Sequence, residues 1–127
     1  MNPPERVGVH IFTDDARVRL AGEALPAQRF DVTYSSTAGE ALAEVRRTHP
    51  SVAVLELRVG DYGGFALAKD LHNLPSMGDL PVVMLCDRPH DRWICRQAGA
   101  AEVIVKPIPD PSVLLGALEA ALPDGAR

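Results

Sequence analysis

Five short apolar runs alternate along the chain with five stretches whose apolar residues recur at helical spacing. Val7 to Phe12 is the first run and predicts a strand that ends in Thr13-Asp14-Asp15. Val18, Ala21 and Leu25 then repeat at helical intervals until Pro26 stops the helix. Phe30 to Tyr34 alternates apolar and polar residues, as a half-buried edge strand does. Thr37-Ala38-Gly39-Glu40 has the form of a capping box, opening a helix with Ala38, Ala41, Leu42 and Val45 inward and ending by His49-Pro50. Val52 to Leu55 is apolar at every position, which predicts a strand covered on both faces. It leads to a carboxylate, Glu56, and then through a glycine-rich turn to a helix carrying Phe65, Leu67, Ala68 and Leu71. Pro81 to Cys86 is a second doubly covered strand, and Pro89 opens a short helix that Gly99 closes. Glu102 to Val105 is the last strand. Asp110-Pro111 then caps a helix with Val113, Leu114, Ala117, Leu118 and Ala121.

Strict alternation of strand and helix predicts one α/β domain over residues 1–127, a five-stranded parallel sheet with helices on both faces. Of the common doubly wound orders, five strands suit 2-1-3-4-5, the flavodoxin-like arrangement. That order sets the ends of the first and third strands side by side. Asp14 or Asp15 then lies beside Glu56, with Cys86 and Lys106 at the ends of the next two strands. Two carboxylates and a lysine at one sheet edge suit a hard cation or a phosphate.

Composition narrows the function. The chain has 127 residues, 46% of them hydrophobic, and a formal net charge of -4, which argues against general nucleic-acid binding. No apolar run approaches the roughly 18 residues of a membrane span, and Met1-Asn2-Pro3-Pro4-Glu5 has no signal-peptide pattern. The two cysteines, Cys86 and Cys95, lack metal-ligand spacing and read as reduced thiols, so a cytoplasmic location is expected.

Three segments, in this order and spacing, resemble the receiver domain of two-component response regulators, the CheY-like family. Leu55-Glu56-Leu57-Arg58-Val59-Gly60-Asp61-Tyr62-Gly63-Gly64 is similar to the family segment in which a phospho-accepting aspartate is followed eight residues later by glycine. Gly99-Ala100-Ala101-Glu102 resembles the turn before the fifth strand. Lys106-Pro107 resembles the family's lysine and the proline after it, joined there by a cis bond. The resemblance implies a phosphorelay signalling module rather than an enzyme, and a partner that is a histidine kinase, an output protein or a second copy of the chain.

The departures from that family matter as much. Glu56 stands at the phospho-acceptor position, Cys86 replaces the hydroxyl residue ending the fourth strand, and Val103 replaces the switch aromatic. Gly60 stands where proline is usual. Aligning Val18, Ala21 and Leu25 with the inward helix positions makes Thr13-Asp14 the first-strand acidic pair; Asp14-Asp15 would turn Arg19 inward. A typical receiver relies on Mg²⁺ and lysine to neutralise the transferred phosphoryl group. Glu56 is longer than aspartate by about 1.5 Å of carbon chain, which disturbs in-line attack. One first-strand acid leaves at most weak Mg²⁺ binding at Asp14 and Glu56, so no cofactor is expected. Cys86 is a weak donor, and Val103 has no ring to swing.

These readings predict an atypical, stand-alone receiver that docks a partner without phosphorylation, with Glu56 and Lys106 paired as a fixed substitute for the phosphorylated state. The alternatives are phosphorylation on Glu56 or Asp61, a receiver fragment of a longer regulator, a flavodoxin-like cofactor binder, and a solvated, inert Glu56. On the helix after Pro89, Ile94, Cys95 and Ala98 share the inward arc. Trp93 faces outward with Arg92 and Arg96 beside it and Arg88 one turn earlier, a docking surface on the face such domains use for partners and dimers.

Overall fold

The computed structural model describes residues 5–60 and 62–123, Tyr62 by its backbone. Five parallel strands form the sheet: β1 (Val7–Phe12), β2 (Phe30–Ser35), β3 (Val52–Glu56), β4 (Val82–Cys86) and β5 (Glu102–Val105). Their order across the sheet is β2-β1-β3-β4-β5. The helices are α1 (Ala16–Glu23), α2 (Ala38–Thr48), α3 (Gly64–His72), α4 (Arg92–Gln97) and α5 (Pro111–Ala121), with a 3₁₀ turn at Pro89–Asp91 leading into α4.

The period of two along each strand divides the core. Phe12, Ala53, Leu55 and Met84 point to one face, where they meet Ala41 and Val45 of α2, Leu67, Ala68 and Leu71 of α3, and Cys95 of α4. Val9, Ile11, Val54, Val83 and Leu85 point to the other, against Val18 and Ala21 of α1 and Leu114 and Leu118 of α5. β3 and β4 are buried along their whole length. That accounts for their unbroken apolar runs, since a central parallel strand has no solvent face.

The caps follow the sequence closely. Thr37 accepts a hydrogen bond from the Glu40 backbone at 3.2 Å, and His49 ends α2 in the left-handed region at φ 47. Asp110 caps α5, accepting from the Ser112 backbone at 2.8 Å. Gly99 takes φ 96 just beyond α4, a conformation glycine adopts without steric cost. The turn after β3 adds a feature that the strand count omits. Arg58–Val59 and Tyr62–Gly63 pair antiparallel as a small ribbon, reversing at Gly60 with φ 56. Asp61, the alternative acceptor in that turn, lies outside the described residues, as do residues 1–4 and 124–127.

One buried polar group in this core was missed by the sequence pattern. His10 of β1 is fully buried, its Nδ1 2.7 Å from Thr33 Oγ1 and its Nε2 2.7 Å from Ser35 Oγ, both on neighbouring β2. The two hydroxyls satisfy a neutral imidazole, which donates at one nitrogen and accepts at the other. Burial lowers its pKa to about 4, although the Glu44 carboxylate nearby pulls the other way. The unfolded chain takes up this proton near pH 6.5, well before the folded one does. Stability from this residue is therefore complete above about pH 6.5 and is lost as pH falls toward about 4, by at most about 3 kcal/mol. Urea unfolding across that range should show the decline, and His10→Asn should flatten it; equal slopes for both proteins would remove His10 as the cause.

Candidate functional site

The carboxyl ends of β1, β3, β4 and β5 meet at one edge of the sheet, and the polar residues there form a single network. Glu56 closes β3 and is only 2% exposed. Its backbone is held close: a Cβ at Gly64, the first residue of α3, would collide with the Glu56 carbonyl, so glycine is required there. The Gly64 amide also donates to the Leu57 carbonyl at 2.9 Å, folding the ribbon tightly over the strand end.

Both oxygens of Glu56 are taken. Thr13 Oγ1 donates to Oε2 at 2.6 Å, and the Lys106 ammonium donates to Oε1. Thr13 Oγ1 in turn accepts from the Asp15 amide at 2.9 Å. Lys106 comes from the turn after β5, where its backbone amide donates to the Cys86 carbonyl at 2.7 Å and its peptide bond to Pro107 is cis. The ammonium also donates to Asp15 Oδ2 at 3.0 Å and lies 3.6 Å from Asp87 Oδ1. Burial by itself would lower the Lys106 pKa. Its hydrogen bonds to Glu56 and Asp15 outweigh that and hold it above the usual lysine value. The hydrogen bond from Lys106 likewise holds the Asp15 carboxyl below its usual range.

The structure gives the two acids after β1 different roles. The α1 register is the one read from Val18, Ala21 and Leu25, all buried with Arg19 outward. Yet the acid joined to Lys106 is Asp15, not Asp14. Asp15 Oδ1 caps α1 by accepting from the Arg17 amide at 2.9 Å, and this aims Oδ2 at the lysine. Along the same extended segment Thr13 turns inward and Asp14 outward, leaving Asp14 exposed. Asp87, the first residue beyond β4, is a further acid on Lys106 that the strand-end pattern could have supplied. An open cleft of about 340 Å³ lies over this edge, with Asp15, Arg17, Asp87, Lys106 and Pro107 in its walls.

The remaining candidate positions are spread from the edge to α4. Cys86 is 2% exposed, and its thiol points to the Arg88 carbonyl at 3.4 Å. It also contacts the buried Cys95 thiol; burial raises the pKa of both, Cys95 to about 12, so both stay protonated at neutral pH. Val103 is half-buried against the core on the α4 side. On α4, Cys95 and Ala98 are buried and Ile94 half-buried, whereas Arg92, Trp93 and Arg96 are exposed.

A divalent cation does not fit this arrangement. Magnesium takes near-octahedral oxygen ligands and leans on carboxylates. Here the Glu56 oxygens are committed to Thr13 and Lys106, and the ammonium already supplies positive charge among the acids. Among the described residues no three His, Cys, Asp or Glu side chains converge as a metal-holding group.

Removing one member of a buried ion pair strands its partner's charge, which costs far more than loss of a surface pair. Glu56→Gln and Lys106→Met should each lower the unfolding free energy by about 2 kcal/mol or more. The double variant should lose clearly less than the two added together. Additive losses in a urea-unfolding cycle would mean that the pair is not coupled.

Comparison with known proteins places this geometry. The sequence profile of the response regulator receiver domain matches residues 9–119. Response regulator PleD of Caulobacter vibrioides is 30% identical over 98 residues, covering 76% of this chain and 22% of that protein. The probable transcriptional regulator ycf27 of Porphyridium aerugineum is 30% identical over 100 residues, covering 76% of this chain and 40% of its own length. The matched segment thus spans less than half the length of each of these curated relatives. Among solved structures, Vibrio cholerae chemotaxis protein CheY4 superposes with a TM-score of 0.84 at 21% identity, covering 93% of this chain and all of that one. A CheY-like receiver domain protein of Methanospirillum hungatei gives a TM-score of 0.81 at 24% identity, covering 96% and 97%. With the parallel sheet, the lysine after its last strand and a profile match over most of the length, the chain belongs to the response regulator receiver domain family of two-component signalling.

Proposed function

We propose that this receiver domain signals by docking a partner protein without being phosphorylated, the Glu56–Lys106 pair standing as a fixed substitute for the charged, phosphorylated state. The observation that carries this reading is the commitment of both Glu56 oxygens, one to Thr13 and one to Lys106. A nucleophilic oxygen needs a free lone pair and an open approach in line with the leaving group. Glu56, 2% exposed with a hydrogen bond on each oxygen, lacks the open approach. The stabilising partners of a transferred phosphoryl group are weakened together, since Cys86 is a buried thiol turned to a carbonyl and Thr13 brings a hydroxyl where the family has an acid.

In this reading the domain carries no catalysis of its own and needs no Mg²⁺. It acts in the cytoplasm, and its partner is a histidine kinase, an output protein or a second copy. The described helices include none long and apolar enough to cross a membrane. The curated relatives are two to five times longer than the matched segment, so receiver function within a longer regulator is the companion reading. In that setting the same docking face would act on a covalently attached neighbour.

Incubation with a small acyl-phosphate donor and Mg²⁺, followed by intact-mass measurement, should leave the protein unmodified. A gain of one phosphoryl group, on Glu56 or on Asp61, would overturn the proposal. Docking through α4 requires Trp93 to be dispensable for folding. Trp93→Ala should keep its circular dichroism and its unfolding free energy within about 0.5 kcal/mol; a loss of several times that would make Trp93 part of the core.

A further inference from the structure

The outer surface of α4 combines features found together nowhere else on the described molecule. Trp93 is 64% exposed. Arg88, Arg92 and Arg96 are exposed beside it. At about 100° per residue, Arg92, Arg96 and Trp93 fall on one continuous arc, opposite Ile94, Cys95 and Ala98. None of the ion pairs among the described residues involves these three arginines, whereas Arg19, Arg29 and Arg47 each have a glutamate partner. Of the neighbouring acids, Asp87 is turned to Lys106 at 3.6 Å, and Asp91 lies 3.7 Å from the His90 ring. Arg96 spends one nitrogen on the Ala100 and Ala101 carbonyls, at 3.5 and 2.9 Å, which fixes its side chain without neutralising it. Lys69 of α3 donates to the Gln97 carbonyl at 3.2 Å and anchors the end of the helix.

On a chain of net charge -4, this is a preorganised cationic surface around a large apolar side chain. Desolvating three unpaired guanidinium groups favours a partner only if it returns carboxylates to them. An exposed tryptophan adds affinity only when an apolar residue covers it. We infer that the α4 face receives an acidic amphipathic segment of the partner protein, with its carboxylates on Arg88, Arg92 and Arg96 and one apolar side chain over Trp93. This deepens the docking reading above and rests on it. A nucleic acid would also answer the arginines, but the overall negative charge and the acids at the adjoining sheet edge oppose a long polyanion.

Trp93 is the one tryptophan in the chain, so its fluorescence reports this face alone. The test titrates the protein with a synthetic amphipathic peptide, a leucine stripe flanked by glutamates, and with the same peptide carrying glutamine for every glutamate. The acidic peptide should shift Trp93 emission to shorter wavelength saturably, and should bind about tenfold more weakly when salt is raised several-fold. Arg88→Ala with Arg92→Ala should weaken it at least about tenfold, with the circular dichroism unchanged. Absence of a saturable shift, or equal binding of the glutamine peptide, would overturn the inference. So would a shift driven by protein concentration alone, which would make a second copy the occupant. Tighter binding of a single-stranded oligonucleotide would do the same in favour of nucleic acid. Phosphoryl transfer to the protein would end the phosphorylation-independent reading and leave this titration untouched, so the two failures are distinguishable.

Discussion

The sheet edge is organised around one ammonium group. Lys106 reaches Glu56, Asp15 and Asp87, which sit at or just beyond the ends of β3, β1 and β4, so a single cation ties four strand ends together. An isolated buried carboxylate such as Glu56 would be costly to maintain. The lysine and the Thr13 hydroxyl together satisfy it, and no buried side-chain nitrogen or oxygen among the described residues lacks a partner. Asp15 serves twice, closing the first turn of α1 with one oxygen and holding the lysine with the other. The helix cap and the site are thus mechanically one object.

That economy constrains function. A receiver that takes up a phosphoryl group needs an acceptor oxygen facing the cleft and cationic groups waiting for new charge. In this chain the carboxylate of Glu56 is buried and the lysine is bound to it. A surface pair would exchange with water and contribute little. A pair this buried is held by the packing of β3 and by the close approach of Gly64 to the Glu56 carbonyl.

From that edge, the chain of contacts leads toward α4. The Lys106 amide donates to the Cys86 carbonyl, the Cys86 thiol points to the Arg88 carbonyl, and Cys86 touches Cys95 beneath Trp93. Protonated, mutually packed thiols behave as small apolar side chains. They seat a short helix on the core and leave its outer arc free for Trp93 and the arginines.

Strand periodicity, helix spacing and capping residues were enough to read the sheet order and the two-sided core, because burial on both faces leaves β3 and β4 no polar positions and capping is a local interaction. The same reasoning placed Glu56, Cys86 and Lys106 at one edge and Trp93 outward. It favoured Asp14 and did not foresee the contact of Asp15 with Lys106, since adjacent residues differ only in the direction their side chains take, and that direction is decided by the α1 cap and by Lys106, 91 residues further along. Nor did it reveal His10, whose two hydroxyl partners lie on the neighbouring strand, 23 and 25 positions away, and come into register only when β1 and β2 pair. Local chemistry is written in short sequence windows; which polar groups meet across strands is decided only by tertiary pairing.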